Sequence, residues 1–427
     1  MAGSPGTRGK RRGSSIRRSS VDWNAIGMKS KEDASKLGFS KFNRGNTLCP
    51  DYSNSNDPTE LTIDLAARQL EHCLEAWNFL SQAGWALVSA HTNQAIHMAY
   101  YAEVRAANSL FASSGIAVKS FPNYYLSKTD AREEIRGPAA GTHSLIRNFW
   151  PHWCKRTDAK AIFANLKVTQ SISLNDVWNA LGLGNRSQSR LLVWGYELTN
   201  LAKDHESRNM ASYDVLQSYS GITQAQSKSS HKILEMVWDH LQPAGMEGQL
   251  QFEVIYARYL VWAYCLDFAT QSSDEGEDFK TVLNRVLQKL SQNTGVPVTT
   301  LSYTFDLDST GDPSFMLFDI ASRTSTTSEN VFLRAFILAR LATSKLNENI
   351  SFSGSDIALE WAQKWLRELG VLKDGEDPED VVGLSEIYAE QAQAIAAQAQ
   401  NTLWDSHAAD AANSSRLNTA LCWSLAF

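Results

Sequence analysis

Apolar residues recur at three- and four-residue spacing along most of the chain, the signature of amphipathic helices. The clearest run is His97 to Phe111. Ile96, Ala99, Tyr100, Val104, Ala107, Leu110 and Phe111 share one face of the predicted helix, and Gly115 fits the left-handed position just past its end. Upstream, Asp57-Pro58-Thr59-Glu60 reads as a helix start. Asp57 can cap and Pro58 suits the first helical position. The helix it opens carries Leu61, Leu65, Leu70, Cys73, Leu74, Trp77 and Leu80, and Gly84 marks a break or a close helix contact. Pro122 to Gly141 is polar and predicts a loop. Thr142 then reads as the cap of a short helix through Leu145, Ile146 and Phe149, which Pro151 ends or kinks. Further helices are predicted over Asp158 to Leu166, from Ser173 and Asp176 onward, and over Arg190 to Lys203.

Residues 216–228 are rich in Ser and Gln and read as a linker or surface loop. Beyond them, Ile233, Leu234, Val237, Trp238 and Leu241 form one helix face, Phe252 to Phe268 is dense in aromatics, and Phe279 to Leu290 forms a third helix. Val296 to Leu307 holds β-branched residues in partial alternation. It predicts a strand, with Phe315 to Ile320 as its hairpin partner. Helices resume over Asn330 to Leu346, Asp356 to Leu369 and from Asp377 on, where Glu390 to Gln400 is a Gln/Ala-rich packing or partner helix. The expected fold is mainly α. A disordered basic and polar arm (1–56) precedes a helical bundle (57–215) and a C-terminal helical domain (216–427) with at most a small hairpin near 296–320.

Composition narrows the class. Hydrophobic residues make up 43% and charged residues 20% of the 427, which predicts a packed, soluble protein. A net charge of -6 supplies no whole-chain reason to bind nucleic acid. The arm is different, because Arg8, Lys10, Arg11, Arg12, Arg17 and Arg18 occur there with no acid nearby, so it could contact nucleic acid or an acidic partner. Cys49, Cys73, Cys154, Cys265 and Cys422 are scattered, with no CxxC pair. This spacing points to a reduced, cytoplasmic protein. No apolar run reaches the roughly 18 residues of a membrane span, and no signal-like segment opens the chain. Thirteen Trp suit well-packed helices and a protein interface.

Most familiar chemistries find no purchase. Asp306-Leu307-Asp308-Ser309-Thr310 follows the expected strand, but the alternating α/β sheet that would bring later Mg²⁺ ligands is missing, and as a calcium loop its twelfth position would be Leu317. An acidic turn remains. No HExxH or GxSxG occurs, so neither a metal nor a cofactor is expected. Arg334 and Arg340 lie in an otherwise apolar helix. Buried arginine needs a carboxylate, and Glu253 or Asp267 could supply it.

Three pieces belong together. Tyr100-Tyr101-Ala102-Glu103-Val104-Arg105-Ala106-Ala107, Gly141-Thr142-His143-Ser144 and Arg208-Asn209-Met210-Ala211-Ser212-Tyr213 follow one another in order. In that order they resemble the HEPN superfamily, small helical domains of prokaryotic toxins and defence proteins, over about residues 60–215. The resemblance implies a metal-independent endoribonuclease in which an Arg, oriented by an Asn, stabilises phosphorane charge and a His moves the proton. It also implies a protein partner or a homodimer. Here the histidine position holds Tyr213, whose ordinary pKa near 10 makes it a poor base. A literal Arg-Asn-x3-His occurs instead at Arg147, Asn148 and His152, interrupted by Pro151 and flanked by Trp150 and Trp153, which would equally make an aromatic packing corner. Two functions stay open: an interaction or accessory protein with a degenerate HEPN-like core in an antiviral defence or stress-response system, or an RNase acting through Arg208, Asn209 and Tyr213 or through Arg147, Asn148 and His152.

Overall fold

The computed structural model describes residues 21–41, 54–89, 91–119, 123–136, 142–182, 224–241, 251–271, 278–323 and 325–353, with Tyr52 and positions 360, 363, 364, 367 and 375 singly. Residues 1–20 with the arm's arginines, the helix expected over Arg190 to Lys203, the Arg208–Tyr213 motif and, but for those single positions, the helices expected beyond Asp356 lie outside the described residues.

The fold is mainly helical, as the periodicity predicts. The arm expected to be disordered is ordered from Trp23: two short helices, α1 (Trp23–Lys29) and α2 (Ala34–Phe39), bury Ile26, Ala34 and Phe39 and precede the long α3 (Pro58–Val88) and α4 (Thr92–Ser113). The α3 start is built as its sequence suggests, with the Asp57 side chain accepting from the Thr59 amide at 2.8 Å. Gly84 does not break the helix. It is buried inside α3, which runs on to Val88. A three-residue connection forces α4 back along α3, so the two pair antiparallel. The Ser109 hydroxyl donates to the Gln69 carbonyl at 2.8 Å at one end, and Phe79 stacks on Tyr101 at 5.5 Å at the other. Gly115 ends α4 with φ +82°, and a Cβ there would lie 2.7 Å from the Lys31 carbonyl oxygen.

The stretch expected to be a polar loop supplies two of the three strands in the larger of two small sheets among the described residues. Strands β1 (Ile116–Ala117), β2 (Tyr124–Leu126) and β3 (Arg132–Glu134) pair antiparallel in that order. Buried Tyr124 anchors this sheet to α3 by donating to Asp64 at 2.6 Å. Next come α5 (Thr142–Trp153), α6 (Thr157–Asn165), a β4–β5 hairpin (Lys167–Thr169, Ile172–Ser173) and α7 (Leu174–Ala180), opened by a Ser173/Asp176 capping box. Pro151 lies within the last turn of α5 and does not end it.

The second half contributes α8 (Gln224–Leu241), α9 (Gln251–Gln271), α10 (Phe279–Thr294), α11 (Val298–Thr304), α12 (Met316–Ser322) and α13 (Ser328–Phe352). The expected linker is therefore helical from Gln224 onward. The strand expected at Val296 to Leu307 is helix α11, and its partner Phe315 to Ile320 belongs to a short 3₁₀ turn and α12. Leu301 in α11 and Phe305 at its C-cap are buried four apart, the helical period, and Leu307 is buried beyond the helix end. Packing has overridden the β-branched preference of the intervening residues.

Helix α13 returns to lie against both α3 and α4. The Trp77 indole donates to the Thr343 hydroxyl at 2.8 Å, and Trp77 meets the Phe336 ring edge-on at 6.2 Å. Further along, the Asn349 amide donates to Gln69 Oε1 at 2.8 Å and Ser35 Oγ at 2.9 Å, tying α2, α3 and α13 together. One hydrophobic core runs from Ile26 to Ile350. The two arginines of α13 are buried beside carboxylates. Arg340 meets Glu253 at 2.6 Å, the pairing expected from the sequence, while Arg334 lies 3.8 Å from Glu103 of α4.

Candidate functional site

Helices α3 and α4 each turn a polar stripe toward one cleft. Arg68, Glu71 and His72 recur at i, i+3, i+4 on α3. Tyr101, Val104, Arg105 and Asn108 recur at i, i+3, i+4, i+7 on α4. Val118 and Lys119, leaving β1, and Thr142 and His143, opening α5, close the other side. The Thr142 hydroxyl donates to the Lys119 carbonyl at 3.2 Å and joins these two walls. The open cleft they line is about 520 Å³, the size of a small-ligand pocket.

Its charges are held in place. Arg68 forks onto Asp64 at 2.7 and 3.1 Å, and Asp64 is itself buried and bonded by Tyr124. Burial works against the Arg68 charge, but the bonds and charge of Asp64 outweigh it and hold its pKa above the ordinary arginine value. Glu75, one turn beyond His72, meets His72 Nδ1 at 3.1 Å and Arg105 Nη1 at 3.0 Å. Burial alone would raise the Glu75 pKa. The bond and charge of His72 and the charge of Arg105 bring it below the usual carboxylate range. The cleft thus gathers Arg68, Arg105 and Lys119 with Asp64, Glu71 and Glu75 around them, a balance of three cations and three acids.

Two histidines take part. His143 Nδ1 bonds the Tyr100 hydroxyl at 2.7 Å, and the rings stack at 5.5 Å. Tyr101 meets His143 edge-on at 6.2 Å. His72 is 4% exposed and its Nε2 has no hydrogen-bond partner within the protein. Asn108 is 2% exposed, and its Oδ1 likewise accepts nothing from the protein. Buried polar groups are normally satisfied, so three unmet atoms on residues of one cleft, these two and Arg105 Nε, set it apart.

The expected site residues fall in different places. Arg208, Asn209 and Tyr213 lie outside the described residues. Arg147, Asn148 and His152 are all on α5, but the cleft is lined by the start of that helix and not by these three. Five residues apart on one helix, Arg147 and His152 point about 140° away from each other. Arg147 is exposed, whereas His152 packs where α1 crosses α5. Its Cβ lies 3.4 Å from where a Cβ on Gly27 would sit. Burial, reinforced by Lys155 and opposed by Asp22, keeps the His152 pKa below its ordinary value. Trp150 and Trp153 stack beside it at 4.6 Å and close on Phe111, an aromatic packing corner.

The sequence reading passed over Arg68, Glu71, His72 and Asn108. The signal was available as a second, polar periodicity on helices whose apolar faces drew attention first. Of the family-like motifs, Tyr100-Tyr101, Arg105 and Thr142-His143 do meet at this cleft. Among the described residues no group of three or more His, Cys, Asp or Glu could hold a metal ion, and no helix is long and apolar enough to cross a membrane. Comparison of the chain with protein-family models, curated proteins and solved structures finds no match.

Proposed function

We propose that the chain is a helical interaction or accessory protein with a degenerate HEPN-like core, serving a prokaryotic antiviral defence or stress-response system, and that its α3–α4–α5 cleft holds a ligand without cutting it. The observation that carries the reading is the state of the cleft's polar groups. Arg68 and Arg105 are engaged by carboxylates and His143 by Tyr100, while Oδ1 of Asn108, Nε2 of His72 and Nε of Arg105 are buried with no hydrogen-bond partner within the protein. Such a surface is arranged for recognition. The system and a protein partner or second copy come with the family resemblance, and a cytoplasmic setting with the scattered cysteines.

Purification of the tagged full chain from its native host tests this. A stoichiometric partner is expected, and Arg105→Ala should weaken its retention. Recovery of the chain alone would count against the reading. The second reading, a metal-independent endoribonuclease, has one observation in its favour: two imidazoles, His72 and His143, share a cleft with Arg105. Incubation with total RNA in EDTA decides between them. Cleavage abolished by both Arg105→Ala and His143→Ala would establish the nuclease. No cleavage by the unaltered chain would remove it.

A further inference from the structure

The side chains that line the cleft and stay half-buried are the ones a ligand can reach, if the cleft is the ligand site of the reading above. They are Glu71, Tyr101, Arg105, Lys119, Thr142 and His143. Arg68 also lines the space, but its fork is committed to buried Asp64. The contacts that register α3 against α4, Ser109 on Gln69 and Tyr101 on Phe79, order the accessible groups along the cleft. Arg105 stands roughly 3–6 Å along the helix axes from Glu71, and Tyr101 about 6 Å beyond Arg105, at ~1.5 Å per residue. Lys119 is held beside the start of α5 by the bond from Thr142 to its carbonyl. Tyr101 and His143, whose rings meet edge-on at 6.2 Å, make an aromatic wall. The sequence of surfaces is therefore an acid, then two cations, then aromatic rings.

A bare anion satisfies Arg105 and Lys119 but is opposed by Glu71, and a bare cation has the reverse fault. With three acids around three cations, the surroundings favour a ligand that is neutral overall and carries both signs. An α-amino acid holds its ammonium and carboxylate about 3 Å apart, which suits the spacing of Glu71 and Arg105 along the cleft. We propose that the cleft binds a free α-amino acid with an aromatic side chain. The ammonium donates to Glu71, the carboxylate accepts from Arg105 and Lys119, and the ring packs on Tyr101 and His143. Glu71 is the specificity-determining residue, because it alone separates the zwitterion from a simple aromatic carboxylate.

Titration calorimetry of the full chain at pH 7 tests the proposal with phenylalanine, with hydrocinnamate, which lacks only the ammonium, and with phenethylamine, which lacks only the carboxylate. Phenylalanine is expected to bind about tenfold or more tightly than either, the scale of one charge-assisted hydrogen bond lost. Glu71→Gln should bring hydrocinnamate to within about threefold of phenylalanine while hydrocinnamate itself binds no more weakly, which also shows that the variant is folded. Lys119→Ala should weaken phenylalanine and hydrocinnamate together and leave phenethylamine unchanged. Either analogue binding the unaltered chain as tightly as phenylalanine would overturn the proposal, and so would a preference for phenylalanine over hydrocinnamate that survives Glu71→Gln. If that variant fails to fold, the ratios on the unaltered chain decide alone. Glycine binding as tightly as phenylalanine would overturn the part given to Tyr101 and His143. Absence of binding by phenylalanine would overturn the whole. The partner purification, which uses none of these ligands, judges the wider reading separately.

Discussion

Asp158→Asn puts the packing logic of the N-terminal segment to a quantitative test. Arg156 and Asp158 are 3% and 1% exposed and paired at 3.0 Å. Asp158 accepts from Arg156 Nε and Nη2, from the Ser114 hydroxyl at 2.7 Å and from the Ala159 amide at 2.9 Å. The Ser114 hydroxyl in turn accepts from the Trp153 indole at 2.9 Å. The remaining reach of Arg156 is to the Gly27 carbonyl at 2.7 Å and the Ser30 hydroxyl at 2.6 Å, so one guanidinium pins α1 against α5 and α6. Breaking a buried pair from one side typically costs about 3–5 kcal/mol, because the partner charge stays buried. Asparagine keeps one acceptor oxygen, so the lower figure, about 3 kcal/mol, is expected from urea denaturation at pH 7.

The same carboxylate has a pH signature. Burial would raise the Asp158 pKa, but the charge and hydrogen bonds of Arg156, helped by Ser114, hold it below the usual carboxylate range. The folded state therefore binds fewer protons than the unfolded chain near pH 4. The Asp158 contribution is complete above the unfolded pKa of about 3.9 and is lost as pH falls through the folded value. Asp158→Asn should flatten that part of the acid slope. A loss under about 1 kcal/mol at pH 7, or an identical acid slope in both proteins, would refute the reasoning.

Two further substitutions probe other parts of the fold. Gly38→Ala would put a Cβ 1.9 Å from the Thr62 carbonyl oxygen on α3, a clash with backbone that no rotamer relieves. It should cost at least the roughly 1–3 kcal/mol of ordinary overpacking, read as a lower melting temperature, and an unchanged melting temperature would show that α2 does not approach α3 this closely. His240 is fully buried among Phe252 and Phe318, and burial lowers its pKa to about 4. The folded state then resists protonation, so stability should fall as pH drops from about 6.5 toward 4, and His240→Gln should remove that slope. A ring that titrates near 6.5 by NMR in the folded protein would contradict it.

Much of the local structure was legible. The caps at Asp57 and Ser173, the end of α4 at Gly115, the main helices and the Arg340–Glu253 pair all follow from residue types at short range or from the cost of burying a lone charge. Several local readings failed, two of them for reasons the structure makes plain. At Val298–Thr304, β-branched residues suggested a strand, but Leu301 and Phe305 find their partners only in a helix. At Pro151 the ring sits in the last turn of α5, where the helix has few bonds left to lose.

The sequence by itself determined where helices run and which of their faces are apolar, because those depend on spacing along a single element. It did not determine that α13 lies against α3 and α4, since the Trp77–Thr343 and Gln69–Asn349 contacts join positions more than 260 residues apart. Nor did it locate the cleft. Arg68, His72, Arg105 and Asn108 are ordinary helical polar residues until α3 and α4 pair antiparallel and α5 closes the side. Only then are Asn108 Oδ1, His72 Nε2 and Arg105 Nε withdrawn from water together, because their burial depends on how the helices pack and not on any one of them.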